Sequence, residues 1–237
     1  MPGAVWIDLE RDLAAHSDDP TDGRHPLPTP HSFADAMTRL GISDDSVVVA
    51  YDDSGGVTAG RLVIMLRMLG RSAAVLDGGL TSWGGPLHTG WVQPAAAVTS
   101  FTPVPWPVSR LASAGETGAL AESGNGVVLD ARSFERFTGE VAMIDLRPGH
   151  IPGARSAPWA SVLGPDGRFR SSAELRQHFA ALGVGGSSDV VAYCGSGVSA
   201  CMNMVAMEHA GLASPRLYVA SWSGWSADPE RPVAMGG

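Results

Sequence analysis

Short apolar runs alternate along this chain with stretches whose apolar residues recur at helical spacing. Val47–Tyr51 and Val190–Tyr193 are runs of the first kind. Unbroken runs of this length suit strands covered on both faces, as in a parallel sheet. Arg61–Leu69 and Val198–His209 carry the helical spacing, and Gly70 and Gly211 stand where each helix should stop. Val127–Asp130 reads as a further strand that ends in a polar turn, Asp130-Ala131-Arg132. Strands alternating with helices predict an α/β protein with parallel sheets flanked by helices.

The pattern occurs twice. Leu40-Gly41-Ile42 followed by Val47–Asp52 matches Leu182-Gly183-Val184 followed by Asp189–Cys194. Gly56-Val57-Thr58-Ala59 then matches Gly197-Val198-Ser199-Ala200, and Tyr51 and Tyr193 are separated by the same offset as Trp83 and Trp225. A two-copy repeat of this length predicts two duplicated domains, residues 1–90 and 111–237. A linker over 91–110 joins them, made stiff by Pro94, Pro103, Pro105 and Pro107. The second copy has an opening that the first lacks, since Pro2-Gly3-Ala4 matches Pro152-Gly153-Ala154. The first domain is therefore expected to be truncated at its start, with its missing strand encoded upstream of Met1. An absent central strand would leave apolar surface and unpaired backbone groups.

Composition narrows the function. Apolar residues make up 44% of the 237 residues and charged ones 17%, which describes a globular chain with a sizeable core. The formal net charge of −8 argues against nucleic acid or an anionic membrane surface as partner. No apolar run is long enough to span a membrane, and Met1-Pro2-Gly3-Ala4 does not open a signal peptide. Two cysteines without a secretory signal predict a reducing, cytoplasmic setting. A largely helical segment between Cys194 and Cys201 would hold them too far apart for a disulfide. No cysteine or histidine cluster has metal-ligand spacing, no glycine pattern suits a nucleotide, and no cofactor is expected.

The strongest candidate for chemistry is Cys194. Its strand runs directly into the thiol, and Gly195-Ser196-Gly197 then leads into a helix. Backbone N–H groups at a helix start are unpaired and the dipole there is positive, so a thiolate is stabilised. The glycines let the loop curl around a group carried on the sulfur. A phosphate-transferring cysteine loop would need an arginine six positions on, where this chain has Ala200. The loop suits a less charged group held by backbone amides. Cys201 falls on the apolar stripe Val198, Cys201, Met202, Val205 and reads as core.

With these residues in view, the chain resembles the tandem-domain rhodanese sulfurtransferases. The resemblance is carried by Asp130-Ala131-Arg132, Arg136-Phe137, Gly149–Ala154, the loop Cys194–Ala200 and Ser221-Trp222-Ser223-Gly224-Trp225. In the first half, Gly23–Pro28 and Leu76–Leu80 add to it. It implies two rhodanese-like α/β domains, the first inactive because Asp52 replaces the cysteine. Cys-Gly-Ser-Gly-Val resembles the 3-mercaptopyruvate branch. That branch implies a proton-handling set of Ser196, His25 and Glu10 beside Cys194, with Arg136 and Arg147 on the substrate carboxylate. It also implies contacts from Gly195, Gly197, Val198 and Ser199 to the group on the sulfur. Asp130 and Arg132 read as residues that fix loops and His150 as one that stabilises a turn, while Trp83, Trp222 and Trp225 read as packing, with Trp222 also a candidate pocket wall. The implied reaction takes sulfur from 3-mercaptopyruvate to a thiol, such as that of thioredoxin or a small thiol, or to cyanide. Thiosulfate as donor, or a non-enzymatic binding module on the same fold, are the alternatives.

Overall fold

The computed structural model describes residues 1–90, 99–142, 144–186 and 188–237. Residues 91–98 of the expected linker lie outside the described residues. Among the described residues the strands are β1 (Val48–Ala50), β2 (Ala73–Val75), β3 (Gly126–Asp130), β4 (Arg155–Ser156), β5 (Asp189–Tyr193) and β6 (Arg216–Leu217). The helices are α1 (Leu9–Asp12), α2 (Pro30–Arg39), α3 (Val57–Met68), α4 (Ala114–Ser123), α5 (Phe134–Thr138), α6 (Ser172–Ala181), α7 (Ala200–His209) and α8 (Ser221–Ala227).

Every paired strand runs parallel, as the apolar runs predict. Among the described residues the second half holds a sheet in the order β4-β3-β5-β6, and the first half holds β1 beside β2. These two correspond in the repeat to β5 and β6. The far edge of β1 is open, and Val47 and Val49 are exposed beside it. In β3 and β5, by contrast, all residues but the first are buried.

The two halves share one core. Phe33, Met37, Ile64 and Leu66 of the first join Ala192, Cys201, Met204 and Leu217 of the second. The helices that follow the equivalent strands, α3 and α7, pack on each other. A Cβ at Gly60 would come within 3.1 Å of Met202 Sδ, so glycine lets the two backbones approach. Helix α7 is buried on nearly all sides, between the sheet and α3, and its apolar residues form more than a single stripe. The described part of the expected linker also packs down. Phe101 and Trp106 rest on Phe33, and the Trp106 indole donates to Pro28 O at 2.7 Å.

Register sets the position of the site. In the β3–β5 pair Asp130 lies opposite Tyr193, so both strands end at one level. The next residues, Ala131-Arg132 on one side and Cys194 on the other, therefore emerge together at the carboxyl edge of the sheet. Open α/β sheets place their ligand crevices at that edge.

Candidate active site

Cys194 follows the last residue of β5 and is 2% exposed. Its loop is gripped from behind by the start of α8. Trp222 N–H donates to Cys194 O and Ser223 N–H to Gly195 O, both at 2.9 Å. Cys194 N–H donates to Ser221 Oγ at 3.1 Å. Ser221 holds φ at 54°, a conformation that non-glycine residues seldom adopt, and its hydroxyl also donates to Tyr218 O. Gly197 has φ of 76°, and a Cβ there would lie 2.5 Å from Val219 O, so the turn admits only glycine.

With the loop carbonyls turned outward, its N–H groups are left over. Among the described residues, the amides of Gly195, Ser196, Gly197, Val198 and Ser199 donate no hydrogen bond within the chain. Successive free amides around a concave loop form an anion-binding nest. They follow Cys194 directly in the chain.

A buried arginine ties this loop to the first half. Arg61 on α3 donates to Gly197 O at 2.9 Å, to His25 O at 3.1 Å and to Leu13 O at 3.3 Å. It is fully buried. Burial pushes its guanidinium below the ordinary arginine value, and the neighbouring thiols Cys201 and Cys194 act in the other direction.

Three residues from distant parts of the chain form one hydrogen-bonded line. Ser196 Oγ lies 2.7 Å from His25 Nδ1, and His25 Nε2 lies 2.8 Å from Glu10 Oε1. A carboxylate only accepts, so Nε2 donates to Glu10; with the imidazole in its neutral form, Nδ1 then accepts from the Ser196 hydroxyl. Glu10 sits at the solvent end of the line, with its side chain 72% exposed.

The other wall is charged. Arg132 is buried, donates to Asp130 at 2.6 Å and to Asp145 at 3.2 Å, and stacks 4.6 Å from the Trp222 ring. Burial works against its charge, but Asp130 outweighs that and holds it above the ordinary arginine value. Arg136 on α5 donates to Asp145 through Nε at 2.9 Å, and its Nη2 reaches the position of a Gly195 Cβ to within 3.0 Å. His150 is also fixed, with Nδ1 donating to Phe137 O at 2.9 Å. Tyr193 is buried beside this network, and burial raises its phenol well above the ordinary value.

Two of the expected residues have partners away from the loop amides, Arg147 first. Its guanidinium donates to the carbonyls of Trp225, Ser226, Asp228 and Arg231, at 2.8–3.2 Å, and so anchors the segment after α8. Trp222 is fully buried behind the loop, where its indole donates to Arg147 O, and so supports the pocket without lining it. The residue missed in the sequence is Arg24. Its Nη2 also comes within 3.0 Å of the Gly195 Cβ position. Its one sequence signal is adjacency to His25 in Gly23-Arg24-His25-Pro26. The backbone of this turn is fastened to the second half, since Arg24 N–H donates to Ser223 Oγ at 3.0 Å.

Among the described residues no group of His, Cys, Asp or Glu is arranged to hold a metal ion, and no helix is long and apolar enough to cross a membrane. A thiol at a strand end, inside a nest of free amides and between two fused α/β halves, defines a sulfur-handling rhodanese-type site. Residues 113–228 match the family model described as a rhodanese-like domain. Over its whole length the chain is 45% identical to a Pseudomonas aeruginosa protein named for 3-mercaptopyruvate sulfur transfer, and spans 84% of that protein. It is 39% identical, again over its whole length, to a Mycobacterium tuberculosis protein named for thiosulfate sulfur transfer, and spans 83% of it. Among solved structures, the 3-mercaptopyruvate sulfurtransferase of Leishmania major superposes on 92% of the chain with a TM-score of 0.76 and 33% identity; the chain spans 61% of that molecule. The chain belongs to the rhodanese family of sulfurtransferases.

Proposed function

We propose that the protein moves a sulfane sulfur from 3-mercaptopyruvate to a thiol or to cyanide through a persulfide on Cys194. The observation that supports this reading most is the hydrogen-bonded line Glu10–His25–Ser196 arriving at a nest of free amides around Cys194. The Cys194 thiolate attacks the donor's sulfur. The sulfur–carbon bond breaks, its electron pair goes to the leaving pyruvate as the enolate, and a sulfur–sulfur bond forms on Cys194. The enolate is a strong base and needs a proton at carbon. Ser196, backed by His25, delivers or relays that proton. The persulfide then rests against the amides of Gly195, Gly197, Val198 and Ser199. An acceptor thiolate, from thioredoxin or a small thiol, attacks the outer sulfur and Cys194 leaves as thiolate. Cyanide in the same role yields thiocyanate. Covalent catalysis divides one difficult transfer into two easier ones.

A second reading, thiosulfate as donor, is favoured by the two guanidinium groups that reach Gly195. Sulfite leaves from thiosulfate without needing a proton on carbon, so it makes no use of the Ser196–His25–Glu10 line. The two readings separate in one experiment. The reduced protein is mixed with each donor in turn, and the rate of sulfur loading on Cys194 is followed by intact mass in wild type and His25→Ala. Under the mercaptopyruvate reading that donor loads faster and loses most of its rate in the variant. A higher loading rate from thiosulfate in wild type would reverse the assignment.

A further inference from the structure

We propose that Arg61 is the positioning residue of the proton relay: its one buried guanidinium sets the backbones that carry Ser196, His25 and Glu10 against each other. This deepens the mercaptopyruvate reading and rests on it. The relay residues come from three segments of the chain, and Arg61 touches the backbone of each. Nη1 donates to Gly197 O at 2.9 Å, directly after Ser196. Nη2 donates to His25 O at 3.1 Å and to Leu13 O at 3.3 Å. Leu13 caps the carboxyl end of α1, the helix that carries Glu10.

Packing alone gives no reason for a charge at this position. Arg61 is fully buried in α3, with Leu62, Val63 and Ile64 buried beside it. Among the described residues its oxygen acceptors are main-chain carbonyls, no carboxylate pairs with it, and its Nε has no partner. A buried cation without a paired anion costs stability that an apolar side chain of similar length would spare. What the guanidinium supplies is a planar fork, whose two Nη groups hold their acceptors at a fixed spacing. The relay needs that spacing. Ser196 Oγ and His25 Nδ1 meet at 2.7 Å across the two halves, and the exposed Glu10 side chain depends on where α1 is placed. A displacement of about 1 Å in such a line costs on the order of 100-fold in rate. The thiol depends on Arg61 less, because its loop is also tied to Ser221, Trp222 and Ser223 of α8.

The experiment measures single-turnover sulfur loading from 3-mercaptopyruvate, and iodoacetamide alkylation of Cys194, in wild type, Arg61→Lys, His25→Ala and the double variant. No loading of wild type, or loading of His25→Ala at the wild-type rate, would reject the parent reading independently of Arg61. Given the relay, Arg61→Lys keeps the charge without the fork, and should load about 10- to 100-fold slower with alkylation close to wild type. In the His25→Ala background the same change should cost nothing further, since the relay it aligns is already broken. Arg61→Met, apolar and of similar length, is the second variant, and it too should add no loss in that background. Wild-type loading by Arg61→Lys, equal slowing of loading and alkylation, or losses that multiply in the double variant would overturn the proposal. Failure of both substitutions to fold would also overturn it, by assigning Arg61 to the fold alone.

Discussion

Asp52 and Cys194 end equivalent strands, and the carboxylate of Asp52 takes up the amides that the Cys194 loop leaves free. Asp52 accepts from the backbone N–H groups of Ser54, Gly56, Thr58 and Ala59 at 2.7–2.9 Å. The first copy thus carries its own anion in the place where the second would carry a persulfide. This internal comparison gives physical content to the nest: the same turn, after the same strand, binds a negative group through backbone amides alone.

Asp52 should therefore be a stability residue. Asp52→Ala leaves several helix-start amides without a partner, and is expected to cost about 2–4 kcal/mol. Urea unfolding measures this, and sulfur transfer by the folded fraction should be unchanged.

Arg147→Gln should act on stability. Loss of its carbonyl contacts should destabilise the fold by about 2–4 kcal/mol, with KM for the donor close to wild type in the folded protein. A large KM change with full stability would return Arg147 to the substrate site and contradict its observed hydrogen bonding.

The contrast between Arg24 and Arg147 shows how much the sequence alone discloses. Strand, loop and helix around Cys194 are legible because they are local: Val190–Tyr193 is an apolar run, glycines follow, and helical spacing resumes. Boundaries move for local reasons too. Helix α3 begins at Val57, ahead of the apolar stripe from Arg61, because Asp52 caps Thr58 and Ala59. Helix α7 starts at Ala200, since Val198 and Ser199 are spent on the turn. The line Ser196–His25–Glu10 is reachable only through family resemblance, as its members are far apart in the chain. No periodicity places Arg24 or Arg147. The Arg147 guanidinium meets two carbonyls in the last turn of α8 and two just beyond it, and Arg24 crosses from the first half to Gly195.

The two thiols should separate cleanly. Cys201 is fully buried, and burial pushes its thiol up to about 12. It should resist alkylation at pH 8 in the native protein, and Cys201→Ser should keep most activity. Cys194→Ser should abolish transfer with the fold intact, because a hydroxyl is a far weaker nucleophile there. Peptide mapping after iodoacetamide, together with kinetics of both variants, checks this.

Acid should weaken the fold through its histidines. Burial lowers His150 and His178 below the ordinary histidine value, so the unfolded chain binds more protons than the native one as pH falls. Their stabilising effect is complete above the unfolded value, about 6.5, and is lost as pH falls below it toward the folded values. The urea midpoint should drop between pH 7 and pH 5, and His178→Gln should flatten part of that slope. An unchanged slope in His178→Gln would assign the loss to other groups.

The central claim is that Cys194 carries the transferred sulfur, taken from 3-mercaptopyruvate. Intact-mass and peptide spectra of the reduced protein after one turnover with this donor, and no acceptor, test it most directly. The account predicts a gain of one sulfur atom on the Cys194 peptide, absent from the Cys201 peptide and removed by cyanide as thiocyanate. Sulfur transfer proceeding at full rate with no sulfur on Cys194 would contradict it.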